Sequence, residues 1–171
     1  MLVLDLDGTL FDTSARWHEC KKLSREDRKT LFWVPDRMFW ECYQSPRFMN
    51  LDEPKWKVIR FVKRLIEEKE PEVIAVVSGR SEKQRKETLK QMSNIGIETN
   101  EIVLRGEKDF RKDYEFKKFV IRELMEKYDQ NKAIVIDDSD VVLKYLEEEE
   151  IEVIDAKTIA KGEKKESMNT L

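Results

Sequence analysis

The chain opens on a short apolar run that stops at two carboxylates: Leu2-Val3-Leu4-Asp5-Leu6-Asp7-Gly8-Thr9-Leu10. Residues 2–6 have the character of a buried strand, and Asp5 then falls at its carboxyl end. In open α/β sheets ligands bind beyond that end. Two acids two residues apart in that place suit a cation or a phosphate, and Gly8 lets the backbone turn sharply. Alone, the stretch would equally describe two solvated acids in a turn.

Later segments repeat the pattern of a strand ending in polar residues. The apolar run Val73-Ile74-Ala75-Val76-Val77 ends at Ser78-Gly79-Arg80, and Ser81 is placed to cap a polar helix to about Ser93. Glu101-Ile102-Val103-Leu104-Arg105 reads as a third strand, and Asp113 to Tyr128 as a helix with Phe116, Phe119, Val120 and Leu124 at helical spacing. Ala133 to Ile136 is a fourth strand ending at Asp137-Asp138. A helix from Val141 to Glu149 and a fifth strand, Ile151 to Ile154, follow. Strands alternating with helices predict parallel crossovers and an α/β, doubly wound parallel sheet. Past Ala156 the polar tail, 157–171, is expected to fray.

Residues 12–71 read as a helical insertion between the first two strands, which divides the core into 1–11 and 72–156. Ser14 is placed to cap a helix to about Lys29; Pro35 then interrupts, and Asp36 is placed to cap a short helix carrying Met38, Phe39, Trp40 and Tyr43. A helix from Lys55 to about Lys69 turns Val58, Val62, Leu65 and Ile66 inward. Phe32, Trp33, Phe39 and Trp40 are numerous enough to stack bases, although a small module burying its own rings has the same composition. Lys57, Arg60, Lys63 and Arg64 read as a solvated face.

Charged residues make up 40% of the chain, yet the net charge is only -3, so the overall field does not select a partner. Cys20 and Cys42 are too few and too loosely spaced for a disulfide framework or a zinc site and read as reduced thiols. No apolar run reaches membrane-spanning length, and Asp5 breaks the opening run too early for a signal peptide. A cytoplasmic protein with no membrane partner is expected.

Asp5, Asp7, Ser78, Asp137 and Asp138 all fall at or just past predicted strand ends, so one crevice could hold them. Crowded carboxylates repel unless a cation sits among them, and oxygen-only ligands suit Mg²⁺. His18, the single histidine, lies in the insertion, so proton transfer falls to a carboxylate.

Asp5-Leu6-Asp7-Gly8-Thr9, Val76-Val77-Ser78, Lys117 and Ile136-Asp137-Asp138 resemble, in order, the four motifs of the haloacid dehalogenase superfamily. The resemblance implies a Rossmann-like core with a small helical cap, and a Mg²⁺-dependent phosphatase working through an aspartyl-phosphate. Asp5 would be the nucleophile, Asp7 the acid and base, Ser78 a phosphate ligand, and Lys117 (rather than Lys118) the neutralising cation. Asp5, Asp7 and Asp137 would hold the metal, with Asp138 a further ligand or a partner behind it. An Asp at the acid/base position, not a Thr, points away from transport ATPases. A closer resemblance, over residues 73–154 and the start of the chain, is to the phosphatase domain of phage-type polynucleotide kinase/3′-phosphatases. It adds Arg16, Arg80 and Asp113 to the site; together with Thr9 and Arg111 these are the candidate substrate-binding residues. Arg80, Arg105, Arg111 and Lys112 could grip backbone phosphates. The implied substrate is a phosphorylated nucleic-acid end, with a separate kinase or ligase as a possible partner. A nucleotidase acting on mononucleotides and a non-catalytic module that binds phosphorylated ends are the alternatives.

Overall fold

The structure, a computed structural model, describes residues 1–26 and 35–166. Five strands form one parallel sheet: β1 (Leu2–Leu4), β4 (Ile74–Ser81), β5 (Glu101–Arg105), β6 (Ile134–Asp137) and β7 (Glu152–Asp155). Their order is β5-β4-β1-β6-β7, so β1 lies at the centre and the connections run outward from it in both directions. Leu4 pairs with Val76 on one side and Ile136 on the other. The reversal of strand order at β1 opens a crevice beyond its carboxyl end.

Side-chain alternation assigns the two faces. Leu2, Leu4, Val76 and Ile136 bury one face under α3 (Trp56–Lys69) and α4 (Arg85–Ile95), through Val58, Ile59, Val62, Met92 and Ile95. Val3, Ala75, Val77 and Val135 bury the other under α5 (Asp113–Lys127) and α6 (Asp140–Glu147), through Phe116, Val120, Ile121, Leu124, Val142 and Leu146. The same period of two has a consequence beyond the strands. Asp5 continues the face of Val3, and Asp137 that of Val135, so both carboxylates point towards α5.

Between β1 and β4 the chain forms β2 (Phe11–Asp12), α1 (Ser14–Glu26), α2 (Pro35–Tyr43), a 3₁₀ turn (Pro46–Leu51) and β3 (Glu53–Pro54) before reaching α3. β2 and β3 pair antiparallel as a two-residue ribbon, where the sequence suggested no strand. Pro35 is itself the first residue of α2, where its missing N–H costs nothing. The expected aromatic pair Phe32 and Trp33 and the expected helix end at Lys29 lie outside the described residues, as does the side chain of Asp36.

Two expectations are overturned. Cys20 and Cys42 are not free thiols but a disulfide, with Cα atoms 5.6 Å apart. The spacing of 22 residues looks loose in sequence, but α1 and α2 pack together and bring the two positions face to face. The tail past Ala156 does not simply fray. It forms α7 (Ala156–Glu166), which packs along α3 and adds Ile159 to that face of the core. No helix among the described residues is long and apolar enough to cross a membrane.

The disulfide makes a direct prediction. Peptide mapping without reductant should recover Cys20 and Cys42 joined. Reduction should lower unfolding stability by about 3 kcal/mol, the entropy scale for a loop of this size.

Candidate active site

Asp5 follows β1 immediately, is buried, and donates its backbone N–H to Ile136 O at 3.0 Å. Asp137 ends β6, and its Oδ1 accepts the Ser139 N–H at 2.8 Å. Between the two carboxylates sits the ammonium of Lys117, 3.0 Å from Asp5 Oδ1 and 2.6 Å from Asp137 Oδ2. Lys117 reaches them because it lies one turn after Asp113 on α5, on the helix face that carries Phe116, Val120 and Ile121 into the core. Asp113 Oδ2 forms an ion pair with the same ammonium at 3.1 Å, an i, i+4 pair. The neighbouring Lys118 points away and pairs with Glu149 at 2.6 Å.

Electrostatics follow burial and pairing. Burial pushes Asp5 up from its ordinary value, the Lys117 ammonium pulls it back, and the nearby Asp137 adds to the rise. Burial opposes the charge on Lys117, but Asp5, Asp137 and Asp113 together hold its ammonium above the ordinary lysine range. Asp138 is raised by burial and then by Asp137; its Oδ1 accepts from the Thr9 hydroxyl at 3.3 Å. Gly8, with φ +86°, closes the turn beneath it, where any Cβ would collide with the Asp138 carboxylate. Lys55 donates to Gly8 O and steadies the turn from the start of α3.

Asp7 belongs to a different set of contacts. Its Oδ1 accepts from Arg80 Nε at 2.6 Å and its Oδ2 from Arg16 Nη2 at 2.7 Å. Burial alone would favour its neutral form, but the Arg80 and Arg16 guanidiniums outweigh that and hold the carboxyl below its usual range. Arg80 also donates through Nη1 to Thr88 (3.1 Å) and Gln91 (2.6 Å) and through Nη2 to Asp52 (3.1 Å). Arg16 Nε faces Asp52 Oδ1 at 2.9 Å, a charge pair whose alignment falls short of a hydrogen bond.

Asp5, Asp7, Ser78, Arg80, Asp113, Lys117, Asp137 and Asp138 therefore line one cavity of about 700 Å³. Ser78 is buried in β4 and receives the Arg80 N–H at 3.3 Å. Thr9 and Arg16 stand behind this lining, acting on Asp138 and Asp7. The rim carries Arg111, which pairs with Asp109 and covers the Phe119 ring at 4.4 Å, and Arg105, which holds Asp113 at 2.9 Å. Trp40 and Tyr43 of α2 form one wall, and Phe110, 90% exposed, stands on the loop between β5 and α5. Sequence reading missed Asp52, Gln91 and Lys55. The first two are ordinary polar residues until folding packs them against Arg80, and a lysine opening a helix carries no motif.

Asp5, Asp137 and Asp138 each offer an oxygen within 4.8 Å of the others. Three carboxylates against the one ammonium of Lys117 leave excess negative charge, which a divalent cation offsets. The donor set is all oxygen and fits Mg²⁺. The Asp7 carboxylate is turned to its arginines and is not part of this cluster.

A family model described as the polynucleotide kinase PNKP phosphatase domain matches residues 29–160, more than half of the 171 residues. The chain belongs to this family. It is a phosphatase of the haloacid dehalogenase superfamily. The matched span contains Ser78, Arg80, Asp113, Lys117, Asp137 and Asp138; Asp5 and Asp7 precede it. Among solved structures, a haloacid dehalogenase-like hydrolase from Streptococcus pneumoniae is similar at TM-score 0.66 and 13% identity, over 90% of this chain and 82% of that one. A chain of the Pnkp1/Rnl/Hen1 RNA repair complex is similar at TM-score 0.58 and 20% identity, over 90% of this chain but only 41% of its own length. A haloacid dehalogenase-superfamily hydrolase from Ehrlichia chaffeensis gives TM-score 0.56 and 12% identity, over 94% and 93% of the two chains. These likenesses establish the fold. No curated protein matches the chain.

Removing the Lys117 charge should expose what it compensates. In chelator, Lys117→Met should lose about 3–5 kcal/mol of unfolding stability, the cost of leaving buried carboxylates without their partner. Urea titration of both proteins measures this.

Proposed function

We propose that the protein is a Mg²⁺-dependent phosphomonoesterase that removes 3′-phosphates from nucleic-acid ends through an aspartyl-phosphate. The observation that carries this reading is the triad of Asp5, Asp137 and Lys117 at the carboxyl end of β1. It sets a buried carboxylate beside a fixed positive charge, with room for phosphate in front. Asp5, Asp137 and Asp138 would hold the metal, which supplies charge neutralisation for Asp5 and the phosphoryl oxygens.

In the first step a carboxylate oxygen of Asp5 forms a bond to phosphorus as the bond from phosphorus to the ester oxygen breaks. Lys117 and Ser78 stabilise the phosphoryl oxygens during transfer. Asp7 gives a proton to the departing oxygen. It then takes one from the water that hydrolyses the acyl phosphate, which regenerates Asp5 and releases inorganic phosphate. The two arginines keep Asp7 ionised in the free protein. The dianionic phosphate entering beside it opposes them and favours the protonated form at the moment it is needed.

The polynucleotide part of the reading rests on the rim. Arg111 lines the mouth of the cavity and Lys112 follows it at the start of α5, both suited to phosphates beyond the scissile one, while Trp40 and Phe110 offer ring faces to bases. Trp40 is half exposed, and Phe39 and Tyr43 brace it through ring contacts 5.1 and 6.1 Å between centroids. The Pnkp1 neighbour occurs in an RNA repair complex with Rnl and Hen1, which supports a ligase or another end-processing enzyme as partner here.

Two experiments test this. Asp5→Asn should abolish turnover, and chelation should silence the wild-type enzyme until Mg²⁺ is restored. Undiminished hydrolysis in excess chelator would refute the metal site. Second, a 3′-phosphorylated decamer should be a better substrate than a 3′-mononucleotide at low salt, and the advantage should shrink as salt rises. Replacing Arg111 and Lys112 together by Ala should collapse the ratio of the two efficiencies. Equal efficiency at both lengths in the wild-type protein would favour a mononucleotide substrate instead.

A further inference from the structure

Asp52 is a buried carboxylate that the reaction does not touch. It lies between the 3₁₀ turn and β3, at the end of the segment that links β2 to β3. Its two oxygens meet the two guanidiniums that hold Asp7: Oδ1 faces Arg16 Nε at 2.9 Å, and Oδ2 accepts from Arg80 Nη2 at 3.1 Å. Gln91 of α4 adds an N–H to the same Oδ2 at 3.1 Å. Two carboxylates and two guanidiniums thus close into a ring. Each arginine bridges Asp7 on the cavity side and Asp52 on the interior side.

Such a ring is a costly way to make stability alone. Three of its four charges are fully buried, a desolvation cost that pairing only partly offsets, and apolar residues of similar volume are often as stable. What the ring gives is direction. Arg16 comes from α1, Arg80 from β4 and Gln91 from α4, three elements with no common axis. Without an interior carboxylate, two mutually repelling guanidiniums would share the single carboxylate of Asp7 and could close over it in several ways. Asp52 fixes both planes from behind, and their outward N–H groups then fix the Asp7 carboxylate.

We propose that Asp52 is a positioning residue for Asp7: through Arg16 and Arg80 it aims the Asp7 carboxyl at the leaving oxygen. The proposal rests on the acid role given to Asp7 above. Its signature is dependence on the leaving group, because an alkoxide needs a proton as it departs and a dinitrophenolate does not.

The test compares kcat/KM on a 3′-phosphorylated oligonucleotide with kcat/KM on 2,4-dinitrophenyl phosphate, in saturating Mg²⁺, for the wild-type, Asp7→Asn and Asp52→Asn proteins. The ratio for each protein is independent of the fraction folded. Asp7→Asn should lose roughly 10²- to 10⁴-fold on the oligonucleotide, the range for lost acid–base help, and far less on the aryl ester. Asp52→Asn should show the same selectivity, about tenfold or more. Equal losses on both substrates for Asp52→Asn, with Asp7→Asn still selective, would reduce Asp52 to a structural residue and leave the phosphatase mechanism intact. Equal losses for Asp7→Asn would remove the acid role and this inference with it. If Asp52→Asn does not fold, Gln91→Met takes its place. It removes the amide that holds both Asp52 and Arg80 without deleting a charge, and a selective loss of threefold or more is expected, whereas equal losses overturn the proposal.

Discussion

Like charges crowd at the carboxyl ends of β1 and β6, and the molecule depends on how that crowding is relieved. Asp5 and Asp137 emerge on the same face of the sheet because Val3 and Val135 do, two residues earlier in each strand. That alternation cannot be altered without moving a core residue to the wrong side. The relief comes from α5, whose Lys117 is delivered by the same apolar stripe that seals the sheet. Core packing and the charge pairing of the site are therefore parts of a single register. A helix that slid by one residue would present Lys118, which here serves a surface pair with Glu149.

The other acid, Asp7, is handled by the opposite device. Where Asp5 is pushed towards its neutral form by burial, Asp7, two residues further on, is held ionised by two guanidiniums, Arg16 from α1 and Arg80 from β4. Two carboxylates two residues apart thus acquire different proton affinities from their surroundings, the general condition for dividing labour between attack and proton transfer.

The sheet, and the gathering of polar strand ends in one cavity, were readable in the sequence because each strand is an apolar run and each ends in a polar residue at the same level. The third strand, Glu101–Arg105, has the boundaries its residues suggested. What was not readable arises where contacts depend on packing between segments. Cys20 and Cys42 meet only because two amphipathic helices lie side by side. The helix Ala156–Glu166 is polar enough to pass for a loose tail, and needs α3 beside it to become a helix. Asp52 carries no local signal at all. A carboxylate before a Glu-Pro pair reads as part of a loop until Arg16 and Arg80, 36 and 28 positions away, converge on it.

The ring around Asp52 also bears on how such a protein can diversify. Chemistry that sits on strand ends and recognition that sits on an insertion would ordinarily be free to evolve apart, one exchanged while the other stays. Here Arg16 stands near the start of the segment that links β2 to β3 and Asp52 at its end; Arg16 reaches Asp7 directly, and Asp52 acts on it through the two arginines. A transplanted or redesigned insertion would have to carry that arginine at its entrance and that aspartate at its exit. Helix α2 between them, which forms one wall of the cavity, remains open to change.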